Sequence, residues 1–191
     1  MRLVLASTSP SRRELLQRLN YPFIAVPPIA DETPLPDEQP VQLVQRLAEA
    51  KATSLRQQFP DALIIGSDQV AVVQGEILGK PATHERAVAQ LQRMSGQTVE
   101  FVNGLVLYHA ATGRCHKDVV TFAVTFRSLQ PDQIERYLLQ ERPYHCAGSF
   151  KSEQLGIALC AAMHGEDPTA LIGLPLIRLV TLLDLEGVTI P

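Results

Sequence analysis

The sequence predicts an α/β fold in which a mixed β-sheet is flanked by helices. Short apolar runs of strand character alternate with amphipathic segments along the chain, a pattern typical of α/β proteins. Two turns interrupt the alternation, one at Gln74-Gly75 and one near Thr112-Gly113. Because tight turns join antiparallel strands, the sheet should combine parallel and antiparallel pairs. The chain has 191 residues, and we expect one domain over residues 1–191.

The strands are predicted where β-branched and other apolar residues cluster, and the helices where leucines recur at three- and four-residue spacing. Proline in the first turn and glycine after the last turn mark helix boundaries. We expect strands at Leu3–Ala6, Leu63–Val73, Ile77–Gly79, Val99–Tyr108 and Val119–Phe126. We expect helices at Ser11–Leu19, Val41–Gln58, from after Pro81 to about Met94, at Pro131–Gln140 and at Pro175–Leu185.

Composition bounds the class of protein. The net charge is −3, with 19% charged and 46% apolar residues, which describes a globular chain with no general affinity for nucleic acid. The three cysteines form no CxxC pair, as is common in a reducing compartment. No apolar run reaches the length of a membrane span, and the N-terminal one is too short for a signal peptide. We therefore expect a cytoplasmic protein with neither a nucleic-acid nor a membrane partner.

Two adjacent arginines open the first predicted helix. Ser9 is placed as the N-cap and Pro10 as the first helical residue, so Arg12 and Arg13 fall in the first turn. Their positive charge opposes the helix macrodipole there. A phosphate would reverse this, because it accepts hydrogen bonds from N–H groups, hydroxyls and guanidinium groups together. The segment predicts a polyphosphate site; the alternative is two surface arginines on an amphipathic helix.

Asp68 lies inside an otherwise apolar strand. A buried carboxylate needs donors, a cation or a metal, and strand carboxylates can hold Mg²⁺ together with substrate phosphates. The alternative is an aspartate at a β-bulge that is bonded to backbone N–H groups, which the preceding Gly66 favours. If Gln74-Gly75 is a two-residue turn, Gln69 pairs with Lys80, and Lys80 then lies beside Asp68.

Other charged residues are less specific on their own. Lys51 lies on the inward leucine stripe of its helix, so its side chain either extends to the surface or reaches a polar cleft. The adjacent acids Asp31-Glu32 lie in a proline-rich loop, where solvated surface charge is the simple explanation. The loop Gly148–Glu153 combines small residues, hydroxyls, Lys151 and a carboxylate, and it is either a ligand-contacting loop or an ordinary turn.

A set of motifs extends from one end of the chain to the other. They are Ser7-x-Ser9-Pro10-x-Arg12-Arg13-x-Leu15-Leu16, Asp31-Glu32-Thr33, Lys51, Gly66-x-Asp68, Gly79-Lys80-Pro81, Ser95-Gly96, Ala147-Gly148 and Gly173-Leu174-Pro175. In combination they resemble the Maf family of nucleoside triphosphate pyrophosphatases. The resemblance implies a Maf/inosine-triphosphatase type of fold with two lobes and a cleft. It also implies hydrolysis of a nucleoside triphosphate to the monophosphate and pyrophosphate with a divalent cation, Mg²⁺, Mn²⁺ or Co²⁺.

The resemblance also assigns roles to residues. Asp68 is implied as the proton acceptor that activates water, and it shares the metal with the Asp31-Glu32 pair. The implied catalytic residues are Asp68, Lys51, Lys80 and Glu32; the implied metal ligands are Asp68, Glu32 and Asp31; and the implied substrate-binding residues are Ser7, Arg12, Arg13 and Lys151, with Lys51 and Lys80 also on the triphosphate.

Base preference follows from Ser11, Gln69 and Glu153, which match the specificity positions of the family. Gln69 and Glu153 resemble the subgroup that acts on 7-methyl-GTP. A glutamate can accept hydrogen bonds from N1–H and N2–H of guanine, and its charge suits the cationic methylated ring. Ser11 departs from the large aromatic residue common in that subgroup and cannot stack on the base. Either another side chain supplies that face, or selectivity for the methylated base is weaker.

Two alternative functions remain open. One is a dTTP/UTP pyrophosphatase of the same family, and the other is a nucleotide-binding regulator of cell division with little catalysis. In every case the expected partner is a small-molecule nucleotide, and a homodimer is left open.

Overall fold

The computed structural model describes residues 1–190, and these contain seven strands and six α-helices. The strands are β1 (Arg2–Ala6), β2 (Phe23–Val26), β3 (Ala62–Val73), β4 (Glu76–Leu78), β5 (Thr98–His109), β6 (Cys115–Phe126) and β7 (Cys160–His164). The helices are α1 (Pro10–Gln17), α2 (Pro40–Ser54), α3 (His84–Met94), α4 (Pro131–Glu141), α5 (Pro168–Ile172) and α6 (Leu176–Leu185).

The seven strands form a mixed sheet. Their order is β2-β1-β3-β5-β6-β7, and β4 pairs with β3. Strand β1 is parallel to both β2 and β3, whereas the β3–β4 and β6–β7 pairs are antiparallel. The predicted α/β class with a mixed sheet and flanking helices is therefore confirmed.

The chain divides into two units. The first comprises Met1–Gln69, Asn103–Val120 and the described residues from Asp167 onward, and the second comprises Val70–Val102 and Thr121–Glu166. The long strands β3, β5 and β6 contribute residues to both units. None of the helices within residues 1–190 is long and apolar enough to span a membrane.

In the first unit, helices pack on both faces of the sheet. Because side chains alternate along a strand, Leu3 and Leu5 of β1 point to one face and Val4 and Ala6 to the other. The first face carries a cluster that includes leucines of α1 and α6, and the second carries a cluster that includes Ala48 and other small residues of α2. The functional side chains of α1 and α2 thus start from helices packed on opposite faces of the sheet.

Two glycines let α2 approach the sheet closely. A Cβ atom added to Gly66 of β3 would overlap the carbonyl oxygen of Ala48, and one added to Gly104 of β5 would overlap that of Val44. Gly66 therefore serves helix packing, and the pairing of β1 with β3 runs in regular register up to Ile65, the residue before it. Because of the close approach, the α2 side chains that face the sheet reach it directly.

The second unit contains the predicted hairpin. Val73 pairs with Glu76 across Gln74-Gly75, as the sequence predicts for a two-residue turn. Gln74 and Gly75 both have positive φ, of 50° and 79°, which is the conformation of a type I′ hairpin turn. The ladder ends at the pair of Ala71 and Leu78, so the predicted pairing of Gln69 with Lys80 does not form.

The sequence did not predict β2, β7 or α5, and it extended α2 to Gln58 where the helix ends at Ser54. These elements are short: β2 has four residues, and β7 and α5 have five each. Segments of that length carry too few residues for a periodic pattern, and tertiary pairing decides their conformation. Strand β6 begins at Cys115, four positions before the predicted start. The prediction placed the start too late because the first residues of the strand are mostly polar and lack the apolar pattern of a strand.

Candidate active site

Lys51 joins two carboxylates in the first unit. Its Nζ lies 2.6 Å from Oδ1 of Asp68 and 2.9 Å from Oε1 of Glu32. The Lys51 and Asp68 side chains are 6% and 11% exposed, whereas that of Glu32 is 50% exposed. The lysine on the leucine stripe therefore reaches a buried carboxylate of the sheet instead of extending to the surface. Lys51, Asp68 and Glu32 are called the acidic-lysine cluster below.

Arg12 lies beside this cluster. The helix begins as predicted, because Ser9 is the N-cap, its Oγ accepts the N–H of Arg12, and Pro10 is the first helical residue. Nε of Arg12 donates to the carbonyl oxygen of Gly173 at 2.8 Å. Burial lowers the pKa of Arg12, and the negative charges of Asp68 and Glu32 oppose that shift. A guanidinium and two carboxylates are thus close enough to interact electrostatically.

Arg13 differs from its neighbour. Successive residues on a helix point about 100° apart, and Arg13 is exposed while Arg12 is half-buried. Ser7 is buried, and its Oγ accepts the N–H of Ser9 at 3.1 Å. Ser11 is half-buried. The structure therefore places Arg12 at the acidic-lysine cluster, whereas Ser7 shapes the turn that leads into α1.

Gln69 is anchored through its amide nitrogen. Nε2 donates to the carbonyl oxygens of Ala170 and Leu171 at 2.9 and 3.0 Å, near the end of α5. A side-chain amide has two N–H groups, and both are used in this way. A ligand that meets Gln69 therefore finds an acceptor, its Oε1, and no remaining donor.

The loop that carries Asp31-Glu32 is held by Arg46 of α2, a residue that the sequence analysis did not identify. Arg46 donates to the carbonyl oxygen of Thr33 at 3.1 Å and to both carboxylate oxygens of Glu38 at 2.6 and 2.7 Å. These bonds lower the pKa of Glu38 to about 2. Asp31 accepts the N–H of Thr33 at 2.9 Å, and its hydrogen bonds with Thr33 lower its pKa. Arg46 could not be singled out from sequence because its partners lie in an irregular loop.

The two carboxylates of the cluster are of the type that can hold a divalent cation. No group of three or more His, Cys, Asp or Glu residues within 1–190 is arranged to hold a metal ion by itself. Asp68 and Glu32 nevertheless converge on one positive charge, and both supply the oxygen ligands that Mg²⁺ prefers. Mg²⁺ is commonly held by one or two carboxylates plus waters and phosphate oxygens. The donor types therefore fit a divalent cation that would take its remaining ligands from outside these two residues.

In the second unit, Lys80 follows a segment that is bonded to the Gly/Ser loop. The carbonyl oxygen of Gly79 accepts the N–H of Gly148 at 3.3 Å and Nε2 of Gln90 at 3.0 Å. Gln90 in turn accepts the hydroxyl of Ser149 at 2.6 Å. The loop is thus an ordered part of the unit and holds the segment that carries Lys80.

The charges of Lys80, Lys151 and Glu153 influence one thiol, that of Cys146. Burial raises the pKa of Cys146; the charge of Glu153 raises it further, whereas Lys151 and Lys80 lower it. The backbone N–H of Lys151 donates to the Tyr137 hydroxyl at 3.1 Å. The charges of these three predicted site residues therefore all act on the same thiol, although the residues are far apart in the chain.

The predicted site residues divide between the two units. The first unit holds Ser7, Ser11, Arg12, Arg13, Asp31, Glu32, Lys51, Asp68 and Gln69, and the second holds Lys80, Lys151 and Glu153. Ser67 is a further polar residue that the prediction missed. Its Oγ donates to the carbonyl oxygen of Gly173 at 3.0 Å. Its position directly before Asp68 was the only signal available in the sequence.

Comparison with known proteins gives a consistent picture. The family model described as Maf-like protein matches residues 2–186. The 7-methyl-GTP pyrophosphatase of Nitrosococcus oceani is 57% identical over 185 residues, which cover 97% of this chain and 93% of that protein. The proteins of the same name from Pseudomonas putida and Methylobacillus flagellatus are 55% and 54% identical over 189 and 188 residues, and the alignments cover 98% or more of both chains in each case.

A solved structure, that of the Staphylococcus aureus Ham1 protein, has a TM-score of 0.45 and 13% identity to this chain, over 67% of this chain and 73% of its own. This likeness is too low to assign a fold.

Proposed function

This chain belongs to the Maf family, and we propose that it is a nucleoside triphosphate pyrophosphatase that hydrolyses 7-methyl-GTP to 7-methyl-GMP and pyrophosphate. Its activity would remove a modified nucleotide. Relatives of that name that match it over nearly their whole length support the substrate. The observation that carries the chemistry is the acidic-lysine cluster, because a buried Lys51 holds Asp68 and Glu32 beside Arg12.

Asp68 is proposed as the proton acceptor. Water adds to one of the two phosphorus atoms joined by the anhydride oxygen between the α- and β-phosphates, the bond from that phosphorus to the bridging oxygen breaks, and the proton of the water passes to the carboxylate, so that the products are the monophosphate and pyrophosphate. Among the described residues, only Oδ1 of Asp68 is hydrogen-bonded, and its partner is Lys51. Lys51 therefore fixes the carboxylate and leaves Oδ2 to receive the proton.

A divalent cation is proposed to bind to Asp68 and Glu32; within residues 1–190 Asp31, which was also expected as a ligand, does not join them in a group of three metal-holding carboxylates. Bound there, the cation would neutralise part of the charge on the phosphate oxygens. Arg12 and Lys51 are proposed to bind the triphosphate together with Ser7, Arg13, Lys80 and Lys151, because guanidinium and ammonium groups pair with phosphate oxygens.

Base selection is proposed for Gln69, Glu153 and Ser11. Gln69 has only its oxygen left for a ligand, and Glu153 is an acceptor as well. The carboxylate of Glu153 by itself can accept both the N1–H and the N2–H donors of guanine, and it does not suit the carbonyl groups of uracil or thymine. This difference favours 7-methyl-GTP over dTTP and UTP.

The cytoplasm is proposed as the location, since the three cysteines are free thiols. A homodimer remains a proposal, which size-exclusion chromatography with light scattering would test.

A substrate panel tests the function. The protein is supplied with Mg²⁺, Mn²⁺ or Co²⁺ and with 7-methyl-GTP, GTP, dTTP or UTP, and pyrophosphate and orthophosphate are assayed separately. We expect pyrophosphate, with the highest kcat/KM on 7-methyl-GTP. Preference for dTTP and UTP would favour the pyrimidine alternative, and tight binding without pyrophosphate release would favour the regulator.

Asp68→Asn is the matching active-site variant. We expect pyrophosphate release to fall by about 10³-fold, the range that general-base catalysis supplies, while nucleotide binding measured by calorimetry persists. Asp61→Asn is the control, because Asp61 is exposed just before the same strand and should keep full activity. Turnover that survives in pure, metal-supplied Asp68→Asn would contradict the role of Asp68.

A further inference from the structure

A buried polar network closes the segment from α5 to α6. Asp167 is only 3% exposed, and both of its carboxylate oxygens are used. Oδ1 accepts the N–H and the hydroxyl of Thr169 at 2.9 and 2.5 Å, and Oδ2 accepts the N–H of Ile177 at 2.9 Å. The Thr169 hydroxyl oxygen also accepts the N–H of Leu176 at 2.8 Å. The start of α5 is thereby tied to the start of α6, and we call these four residues the Asp167 network.

Gly173 lies inside the segment that this network closes. It ends α5 with a φ of 116°, a backbone conformation that side chains other than glycine rarely adopt. Its N–H donates to the carbonyl oxygens of Thr169 and Ala170 at 3.2 and 3.0 Å. Its own carbonyl oxygen accepts Nε of Arg12 at 2.8 Å and Oγ of Ser67 at 3.0 Å. The position of this one oxygen therefore sets the positions of two side chains.

The same segment holds both neighbours of Asp68 in β3. Ser67 bonds to Gly173, and Gln69 bonds to Ala170 and Leu171. The backbone carbonyl groups of this segment thus hold both Arg12 and the two residues that flank Asp68. Burying a carboxylate costs free energy unless it is hydrogen-bonded, and here the hydrogen bonds of Asp167 offset that cost and fix the shape of the turn.

We infer that the Asp167 network is a positioning device for Arg12 in triphosphate binding. Among the described residues, only Nε of Arg12 is hydrogen-bonded, which leaves both terminal nitrogen atoms of the guanidinium for phosphate oxygens. A guanidinium binds phosphate through a planar, two-pronged geometry, so its orientation sets how well it binds. Asp167 and Thr169 fix that orientation through the Gly173 carbonyl without contacting the substrate. This inference rests on the proposed function in one respect, the identity of the ligand as a polyphosphate.

The test compares Thr169→Val, which keeps the shape of the side chain and loses the hydroxyl, with Thr169→Ser, which keeps the hydroxyl. We expect Thr169→Val to raise KM for 7-methyl-GTP about tenfold with kcat changed by less than about twofold, the signature of lost phosphate binding. Thr169→Ser should stay near wild type. Thr98→Val is the control, since it removes a hydroxyl bonded to Thr125, outside the network. Thr169→Ala replaces Thr169→Val if the latter does not fold.

A double-mutant cycle separates positioning from general stability. In an Arg12→Ala background, Thr169→Val should change KM no further, because the group it positions is gone. A merely structural role would lower the active fraction, and hence kcat, with KM unchanged. Either that result or KM effects that multiply fully in the double variant would overturn the inference.

Calorimetry with inorganic pyrophosphate keeps the inference independent of turnover. We expect the Kd for pyrophosphate to rise about tenfold in Thr169→Val and to stay near wild type in Thr169→Ser. Wild-type protein that binds pyrophosphate but hydrolyses no nucleotide would overturn the proposed function alone. Wild-type protein that binds no pyrophosphate would overturn the role of Arg12 and the positioning inference with it.

Discussion

Replacing Lys51 with methionine tests the energetics of the acidic-lysine cluster. The substitution keeps an unbranched apolar stem of similar length and removes the ammonium that contacts Asp68 and Glu32. Asp68 then retains its carboxylate inside the strand without its hydrogen-bond donor. The change therefore isolates the cost of an uncompensated charge at a buried position.

The size of the effect follows from burial and distance. The Lys51–Asp68 contact is 2.6 Å and both side chains are almost fully buried. Removing one member of a buried ion pair costs about 3–5 kcal/mol. Arg12 lies near Asp68 and offsets part of that charge, so we expect a loss of about 3 kcal/mol in the free energy of unfolding. The contact with half-exposed Glu32 adds about 1 kcal/mol at most.

Urea unfolding at pH 7 measures the loss. Circular dichroism is the appropriate signal, because the chain has no tryptophan. The control is Lys117→Met, since Lys117 contacts Glu49 at the same 2.6 Å but the two side chains are 36% and 39% exposed. An exposed pair contributes about 0–1 kcal/mol. The double variant Lys51→Met with Asp68→Asn should recover at least about 1 kcal/mol relative to Lys51→Met, because the buried charge is removed.

Two results would refute this reasoning. One is a loss in Lys51→Met no larger than that in Lys117→Met, which would mean that burial does not amplify the pair. The other is simple additivity in the double variant, which would mean that the lysine and Asp68 do not stabilise each other.

Two further predictions concern base selection and pH. Glu153→Gln should lower the preference of kcat/KM for 7-methyl-GTP over UTP about tenfold, because a charged acceptor is lost, while turnover of UTP changes little; equal losses on both substrates would indicate a structural role. Hydrogen bonds from Arg114 and His116 lower the pKa of Glu186 from 4.5 to about 2. The stability that Glu186 contributes should therefore be complete above pH 4.5 and disappear as the pH falls towards 2. Thermal unfolding of wild type and Glu186→Gln checks this, and a difference in Tm that stays constant over that range would contradict it.

Local signals in the sequence predicted local structure well. Ser9 and Pro10 start α1 because an N-cap hydroxyl and a proline act on the backbone within one turn. Gln74-Gly75 fixed the register of Val73 with Glu76 for the same reason. The short elements β2, β7 and α5 were missed, because their conformation depends on the strands and helices that they pack against.

The sequence singled out charged residues at unusual positions, but it did not identify their partners. Asp68 and Lys51 were conspicuous because each places a charge among apolar residues. In the structure the two side chains form an ion pair with each other. Lys80 was predicted to reach Asp68 through a ladder that in fact ends at Leu78. Arg46, which holds the acidic loop, had no pattern that could reveal it.

The sequence by itself determined the mixed α/β class, the position of the main helices and strands, and a set of charged residues whose types suit a polyphosphate. Only the tertiary structure decided which of two adjacent arginines lies close enough to the carboxylates to interact with them electrostatically. Arg12 is held by Gly173, which is 161 positions away in the chain, while Arg13 is exposed. Backbone propensity acts over a few residues, whereas the pairing of charges and carbonyl groups depends on which distant segments the packed core brings together.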